Sequence, residues 1–295
     1  MTLYIGDKPV GLIKVVEKKV PKTKFGASVD TWIGDVDENG VLSQTTWEGT
    51  LNFAGVKEIG EYGLDYAFYS SHSVTALIFD SLIKVGRYGM RNVANSVNSL
   101  TSVDLSLLET VDDYGLYYSF RNCQYITSVI LGSIKTIGNY GASNAFYSNV
   151  HLTSIDLSSL ESVGTNGMDS MFRDCSRLTN VDLSSLKNVG NNGMIDTFRN
   201  CSGLTSIDLS SLESVGTNGM QTAFYSCKGL TTLSFPSLIN LQTNSFGSSS
   251  SYRAFHACTN IAEIHFRADM QATIEAMSQY ENKFGAINAT IYFDL

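Results

Sequence analysis

The stretch that decides the fold is CSRLTNVDLSSLKNVGNNGMIDTFRNC, residues 175–201. It spans one turn of a repeat whose units return every 26 residues. The units begin at Thr75, Thr101, Thr127, Thr153, Thr179, Thr205 and Thr231, and a weaker unit occupies 49–74. Residues 153–168 and 205–220 are identical, TSIDLSSLESVGTNGM, and the unit that begins at Thr231 is five residues longer than the others. A fixed period of this length predicts a repeat coil.

Equivalent positions of the units show how such a coil would pack. Apolar residues such as Val181 and Leu183 occupy positions 3 and 5 and alternate with polar ones, which predicts a strand. Position 20 is phenylalanine in every unit except the one with Ala94: Phe68, Phe120, Phe146, Phe172, Phe198, Phe224 and Phe255. Stacked units would bury each such column against itself, and each buried side chain contributes roughly 1.5–3 kcal/mol.

The pattern C-x-x-L-x-x-V-x-L-x-x-L-x-x-V-G-…-F-x-x-C, from Cys175 to Cys201, resembles the BspA-like (Treponema-type) leucine-rich repeats. The resemblance covers about residues 49–266. It implies an α/β repeat: a right-handed leucine-rich-repeat solenoid with a parallel sheet on one side and irregular or short helical segments opposite. The unit departs from the family in being longer between V-G and Phe, and in having mostly serine where proline commonly follows the strand.

The chain is expected to contain three parts. Residues 49–266 form the solenoid of about eight units, and residues 267–295 form a C-terminal cap. In that cap Met270, Ile274 and Met277 follow helical spacing, which predicts an amphipathic helix over about 269–280. Residues 289–294 alternate like a closing strand. A cap is expected because a solenoid must cover its open ends.

Residues 1–48 match no repeat and are predicted to be an N-terminal cap or an attachment module. They include apparent strands at 2–5 and 11–16 and an Asn39-Gly40 hairpin signal. The stretch DTWIGDVDENGVL, residues 30–42, weakly resembles segments of phage and prophage structural proteins. Oligomerisation through residues 1–48 is a further expectation.

Charge and hydropathy limit the classes of partner that the chain is expected to bind. The net charge is −8 and the isoelectric point about 5.0, which argues against nucleic acid because phosphate binding needs a basic face. Residues 1–24 carry six lysines and two acids, which a solvated hairpin face or docking to an acidic partner would explain. The sequence has no apparent signal peptide and no run long enough to insert into a membrane.

The cysteines fall in one column, position 23: Cys123, Cys175, Cys201, Cys227 and Cys258. No pair has zinc-ligand spacing, so a buried ladder of thiols is expected, without metal or cofactor. Asp35, Asp37, Asn39 and Gly40 open like a calcium loop, but the twelfth position is Thr46 rather than an acid, which favours a plain hairpin.

Two columns point outward. Asp104, Asp156, Asp182 and Asp208 share position 4 and are expected on the concave face of the sheet. Hydroxyl groups or water would satisfy them, or they would attract cations and basic groups. Tyr62, Tyr88, Tyr114 and Tyr140 share position 14 of the first four units, where later units have asparagine. Such a row either seals the turn side or forms a patch for a protein or a surface glycan.

No catalytic signature is present, since the four histidines occupy four different unit positions and no nucleotide, serine-hydrolase or zinc motif occurs. We therefore expect a protein that is not an enzyme and that recognises or adheres to a macromolecule through the solenoid. The BspA resemblance implies a surface adhesin at the cell surface. The alternative is a phage or prophage tail-associated protein on the virion surface, with residues 1–48 as the anchor.

Overall fold

The computed structural model describes residues 2–5, 8–12, 28–32, 47–53, 55–249, 252–277 and 279–294. Its framework is a ladder of parallel strands, one at the start of each of the eight units and one directly after them. The strands are β4 (Trp47–Asn52), β6 (Ser73–Ile78), β8 (Ser102–Asp104), β10 (Ser128–Ile130), β12 (Ser154–Asp156), β14 (Asn180–Asp182), β16 (Ser206–Asp208), β18 (Thr232–Phe235) and β20 (Glu263–Phe266). Paired residues of β8 and β10, such as Ser102 and Ser128, are one repeat apart in sequence, so the predicted period is confirmed.

A second parallel ladder has one short strand per unit. Its strands are β5 (Glu58–Ile59), β7 (Lys84–Val85), β9 (Thr110–Val111), β11 (Thr136–Ile137), β13 (Ser162–Val163), β15 (Asn188–Val189), β17 (Ser214–Val215) and β19 (Asn240–Leu241). These eight strands form one continuous sheet. The first ladder is divided into three hydrogen-bonded stretches, with breaks after β10 and after β16. The molecule is thus a parallel-sheet solenoid.

At the N-terminal end, strand β1 (Thr2–Ile5) pairs with β2 (Lys8–Leu12) as an antiparallel hairpin. Strand β3 (Ser28–Trp32) pairs antiparallel with β4 and so extends the first ladder by one strand. Both the cap and the attachment module proposed for residues 1–48 stay predictions. The calcium-like residues 35–40 and Thr46 lie outside the described residues.

Chained turns follow the second-ladder strand of each unit and form the side opposite the first ladder. Of the irregular or short helical segments expected there, the irregular segments are the ones found. Amide groups point alternately along the chain and across units: Gly115 N–H donates to Asp112 O, while Leu116 N–H donates to Gly141 O of the next unit. Positions 14, 18 and 22 of nearly every unit have positive φ, between 51° and 64°. This alternation satisfies the turn backbone without helix, because every second amide has a partner in the neighbouring unit.

The core contains the stacked phenylalanine column that the sequence predicts. Phe172 is fully buried, with ring centroids 5.8 Å from Phe146 and 5.7 Å from Phe198, and the planes lie within 8° of parallel. Ala94 interrupts the column and is itself fully buried. Since each ring packs mainly on equivalent rings, the column couples each unit to its two neighbours.

The glycine at position 15 is required by close packing. A Cβ on Gly115 would lie 2.8 Å from Val111 Cγ1, and one on Gly219 would lie 2.7 Å from Val215 Cγ1. Among the described glycines, those with positive φ are found elsewhere, at Gly49, Gly55, Gly247 and Gly285. Close approach of a neighbouring side chain, and not a positive φ, therefore explains the position-15 glycine.

The described helical residues lie after β20, in the segment predicted to be a C-terminal cap. A 3-10 turn at Ala268–Met270 leads into α1 (Gln271–Glu275), and a second 3-10 segment follows at Tyr280–Gly285. The α-helix is therefore shorter than the span predicted over 269–280, although Met270 and Ile274 are buried as its amphipathic pattern requires. Strand β21 (Thr290–Phe293) pairs parallel with β20 and adds the last rung.

Candidate binding surface

The turn face is the side of the solenoid formed by positions 13–22 of each unit, for example residues 113–122. The tyrosine row, Tyr62, Tyr88, Tyr114 and Tyr140, lies on it. Consecutive centroids are 5.0, 4.9 and 4.9 Å apart, and the planes are tilted by 11°, 21° and 4°. All four side chains are half-buried. The row is therefore one continuous stack across four units.

Stacking leaves the ring edges and hydroxyl groups as the accessible parts of the row. Tyr88 and Tyr114 each have a neighbouring ring on either side, so a sugar ring has no open face to stack on there. Burial and the neighbouring phenols of Tyr140 and Tyr88 raise the pKa of Tyr114. Its hydroxyl therefore stays protonated at neutral pH and can donate a hydrogen bond.

The backbone beneath the row is unfavourable for tyrosine. φ is 56° at Tyr62, 55° at Tyr88, 58° at Tyr114 and 54° at Tyr140. This left-handed conformation costs roughly 1–2 kcal/mol for most L-residues, whereas asparagine adopts it readily. Asn166, Asn192, Asn218 and Asn244 hold the same position with φ between 52° and 58°.

Cations lie over the start of the row. The guanidinium carbon of Arg91 is 5.0 Å from the Tyr88 centroid and 5.8 Å from that of Tyr62, and Arg87 is 4.9 Å from Tyr88. Arg91 also forms a bidentate ion pair with Asp65, at 2.9 and 2.6 Å. Such contacts fix the rings and give this end of the row a mixed aromatic and ionic character.

A second column on the turn face was missed by the sequence reasoning. The arginine–tyrosine ladder consists of the position-21 residues Arg121, Tyr147, Arg173, Arg199 and Tyr225. Arg121 lies 4.7 Å and Arg173 5.7 Å from the Tyr147 centroid, and Arg199 lies 4.2 Å from that of Tyr225. Reading position 21 down the units would have revealed this mixture of arginine and tyrosine.

Other tyrosines connect the row to this ladder. Tyr117 contacts Tyr114 edge to face at 5.6 Å and Tyr118 at 4.4 Å, and Tyr118 lies 5.2 Å from the guanidinium of Arg121. Burial is the main cause that raises the pKa of Tyr117 to about 12, with Tyr118 adding to it. The row and the ladder are thus parts of one surface.

The aspartate column has a local structural role. The carboxylate Oδ1 of Asp182 accepts a hydrogen bond from the backbone N–H of Ser184 at 2.9 Å, and the same bond recurs from Ser106, Ser158 and Ser210 to Asp104, Asp156 and Asp208. Each aspartate therefore closes a turn at the end of its strand. Asp156, Asp182 and Asp208 lie side by side, because they pair in register on adjacent strands.

The cysteine column is a buried ladder of free thiols, as predicted. Each Sγ donates to the carbonyl at position 20 of the preceding unit, for example Cys201 to Phe172 at 3.1 Å and Cys227 to Phe198 at 2.9 Å. Burial raises the pKa of Cys175 to about 12. These thiols stay protonated and serve as hydrogen-bond donors in the core.

An open groove of about 610 Å³ is lined by second-ladder residues of three units together with Arg87, Asp112 and Asp113. Lys84 pairs with Asp112 at 3.1 Å, and Asp113 accepts the backbone N–H of Asn139 at 2.7 Å. Within the described ranges, no group of three or more His, Cys, Asp or Glu side chains is placed to hold a metal ion. The part of the chain that the structure describes has no helix that meets the length and apolarity needed to cross a bilayer.

Parallel rungs one repeat apart, with L-x-x-V-x-L or a closely related apolar pattern on most first-ladder strands, define a leucine-rich-repeat solenoid. A sequence model of the BspA type leucine rich repeat region matches this chain in six copies, over residues 52–166, 100–218 and 169–288. The chain belongs to that family.

Three of the solved structures to which this chain is similar are bacterial proteins. The chain is similar to a leucine-rich repeat protein from Bacteroides ovatus, with 18% identity, 80% of this chain and 65% of that chain covered, and a TM-score of 0.35. For a leucine rich cell surface protein from Faecalibacterium prausnitzii the values are 14%, 83%, 90% and 0.31. For the pneumococcal vaccine antigen PcpA they are 17%, 81%, 66% and 0.31. This chain thus spans about two thirds of the Bacteroides ovatus protein. No curated protein matches it.

Proposed function

We propose that this protein is a non-catalytic recognition module that adheres to a protein partner through the tyrosine row. The observation that supports the proposal is the residue choice at position 14. Four units place tyrosine in a left-handed conformation that asparagine adopts at lower cost, and four units of the same chain use asparagine there. The tyrosine side chains must therefore contribute something that the backbone does not need.

Stacking within the row accounts for part of that contribution. Each stacked aromatic pair is worth about 0.5–1.5 kcal/mol, which is comparable with the conformational cost of about 1–2 kcal/mol per residue. Sealing the turn side would therefore leave little net gain. An accessible strip of phenol edges is the kind of rigid, amphipathic surface that is enriched at protein interfaces.

The geometry favours a protein over a surface glycan as the partner. Sugar rings are held on open aromatic faces, and the inner rings of the row have neither face open. The aspartate column is a weaker candidate surface, because turn closure already accounts for those residues. The alternative of a phage tail-associated protein displayed from residues 1–48 is favoured by no contact in the described ranges.

The test uses a substitution that the chain itself supplies. Tyr88→Asn together with Tyr114→Asn keeps the left-handed backbone and removes the centre of the row. The intact chain and the double variant are used to capture partners from host matrix proteins, host-cell surfaces and bacterial envelopes. We expect the variant to lose at least about tenfold in apparent affinity, as for interface hot spots near 2 kcal/mol.

The matched control lies on the same column in the other half. Asn192→Gly keeps a residue that tolerates φ of 55° and should leave capture unchanged. Equal capture by the parent chain and the Tyr88→Asn/Tyr114→Asn variant would show that the row only seals the turn side. Captured proteins are then identified and their affinities measured by calorimetry.

A further inference from the structure

Arg121 lies on the turn face between two tyrosine rings. Its guanidinium carbon is 5.2 Å from the Tyr118 centroid and 4.7 Å from the Tyr147 centroid. The side chain is half-buried, and its Nε atom is buried without a hydrogen-bond partner. The rings hold the planar guanidinium in place, so little rotamer freedom remains to be lost when a ligand binds.

The neighbouring arginines of this face differ from Arg121 in having anionic partners. Arg91 is paired with Asp65 at 2.6 Å. Arg173 and Arg199 share Asp196, at 2.9 and 3.4 Å. The Nε atoms of those two are also buried without partners, but their terminal nitrogens are bonded. Arg121 has no ion pair or guanidinium hydrogen bond with any residue in the described ranges.

A partly desolvated cation without a counter-charge is costly unless something pairs with it. We propose that Arg121 receives a carboxylate from an acidic segment of a protein partner. This inference rests on the proposed function, since the same partner would contact the tyrosine row. The terminal nitrogens of arginine form a fork that matches a carboxylate in bidentate geometry.

The surroundings favour a peptide carboxylate over an acidic sugar. Tyr147 contacts the guanidinium groups of both Arg121 and Arg173, and Tyr118 contacts Arg121 and the ring of Tyr117. A uronate ring would need an open aromatic face beside the cation. An extended peptide needs only ring edges and hydroxyl groups, which Tyr114 and Tyr117 carry from the row towards Arg121.

The experiment observes the arginine side chains directly. The chain has eight arginines, so their Nε–H signals can be resolved in a ¹⁵N-labelled full-length sample, and Arg121→Lys identifies the signal of Arg121. The probe is a blocked hexaglutamate peptide. We expect the Arg121 Nε–H signal to move saturably, with a dissociation constant on the order of 1 mM or tighter. Arg121→Gln should weaken binding about tenfold, which corresponds to ~1.4 kcal/mol.

The controls test whether the shift requires Arg121 itself, a negatively charged ligand, and a peptide rather than a sugar. Arg199→Gln removes an arginine that already has an aspartate partner and should leave the Arg121 shift unchanged. A hexalysine peptide should produce no shift. If hexaglutamate at several times that concentration leaves the Arg121 signal in place, the inference is wrong. If hexagalacturonate moves the signal and hexaglutamate does not, the partner is an acidic glycan and the inference is again overturned.

Failure of this inference can be told apart from failure of the proposed function. Partner capture that survives Arg121→Gln but is lost in Tyr88→Asn/Tyr114→Asn would keep the function and discard the arginine site. Capture that is lost in Arg121→Gln and unchanged in the tyrosine variant would discard the row. Loss in both variants, with the hexaglutamate shift at Arg121, supports both proposals.

Discussion

The first four units and the later four have the same backbone at position 14 but different side chains. Tyr114 N–H donates to Asn139 O at 3.0 Å, and Asn192 N–H donates to Thr217 O at 2.9 Å, with φ of 58° and 55°. Asparagine meets the demand of that backbone and tyrosine does not. The turn therefore requires a left-handed conformation at position 14, whereas the choice of tyrosine must be explained by contacts of its side chain.

The largest effect on stability is expected from interrupting the phenylalanine column between the first four and the later four units. Phe172→Ala removes a fully buried ring that stacks on both sides, and such truncations cost about 3–5 kcal/mol. Because units couple only to their neighbours, the halves should then unfold separately. Ten of the fifteen tyrosines lie between Tyr62 and Tyr147, so tyrosine fluorescence reports mainly on the first half, while circular dichroism reports on both.

In urea, the two probes should give coincident transitions for the parent chain and separated ones for Phe172→Ala. Phe172→Leu is the matched control, since it keeps most of the buried volume and should preserve a single transition. A loss below about 1 kcal/mol for Phe172→Ala, with coincident probes, would mean that the column does not couple the halves.

A smaller effect tests the conformational difference between the halves. Tyr114→Asn relieves about 1–2 kcal/mol of left-handed backbone cost and loses two stacked pairs worth about 0.5–1.5 kcal/mol each, so stability should change by less than about 2 kcal/mol. Tyr114→Ala loses the same pairs but keeps an unfavourable backbone, and it should be less stable than Tyr114→Asn by about 1–2 kcal/mol.

Urea unfolding of both variants measures the difference. Asn192→Ala is the control in the second half. Because no ring is lost there, it should lower the free energy of unfolding by about as much as Tyr114→Ala falls below Tyr114→Asn. Equal stability of Tyr114→Asn and Tyr114→Ala would contradict the view that this position is chosen for its left-handed backbone.

The smallest effect concerns the C-terminal end of the second half. His265 Nδ1 lies 3.0 Å from Asp294 and its Nε2 lies 3.5 Å from Glu263, and hydrogen bonding to Asp294 is the main cause that raises its pKa. A raised folded-state pKa stabilises below the unfolded-state value, and the contribution is lost as the pH rises through the folded-state value.

The thermal midpoint of the parent chain should therefore fall slightly, relative to His265→Gln, as the pH rises from about 5 to 8. The imidazole is only partly shielded, so salt should weaken the effect. His72→Gln replaces an exposed histidine of the first half. Its thermal midpoint should change with pH in the same way as that of the parent chain. An identical profile in His265→Gln would show that the ion pairs contribute nothing to the cap.

Much of the fold could be predicted from the sequence because contacts in a repeat coil join equivalent positions. The strand registers, the phenylalanine column and the tyrosine stack all join residues at the same unit position. The cap was less predictable: Met270, Ile274 and Met277 have helical spacing over a longer span than the five residues that form α1. This segment does not repeat, so no equivalent positions in other units indicate where its helix ends.

The sequence by itself determined the period, the columns and the residue that differs between the two halves. Only the tertiary structure decided which columns meet one another. Arg121 meets both Tyr118 and Tyr147 because chained turns with a left-handed residue every four positions fold positions 14–22 onto one face. That path depends on backbone angles and on hydrogen bonds to the next unit. Comparison of equivalent positions in the sequence shows neither the angles nor these bonds. Only the structure shows that Arg121 has no ion pair within the described residues, whereas Arg91, Arg173 and Arg199 pair with aspartates.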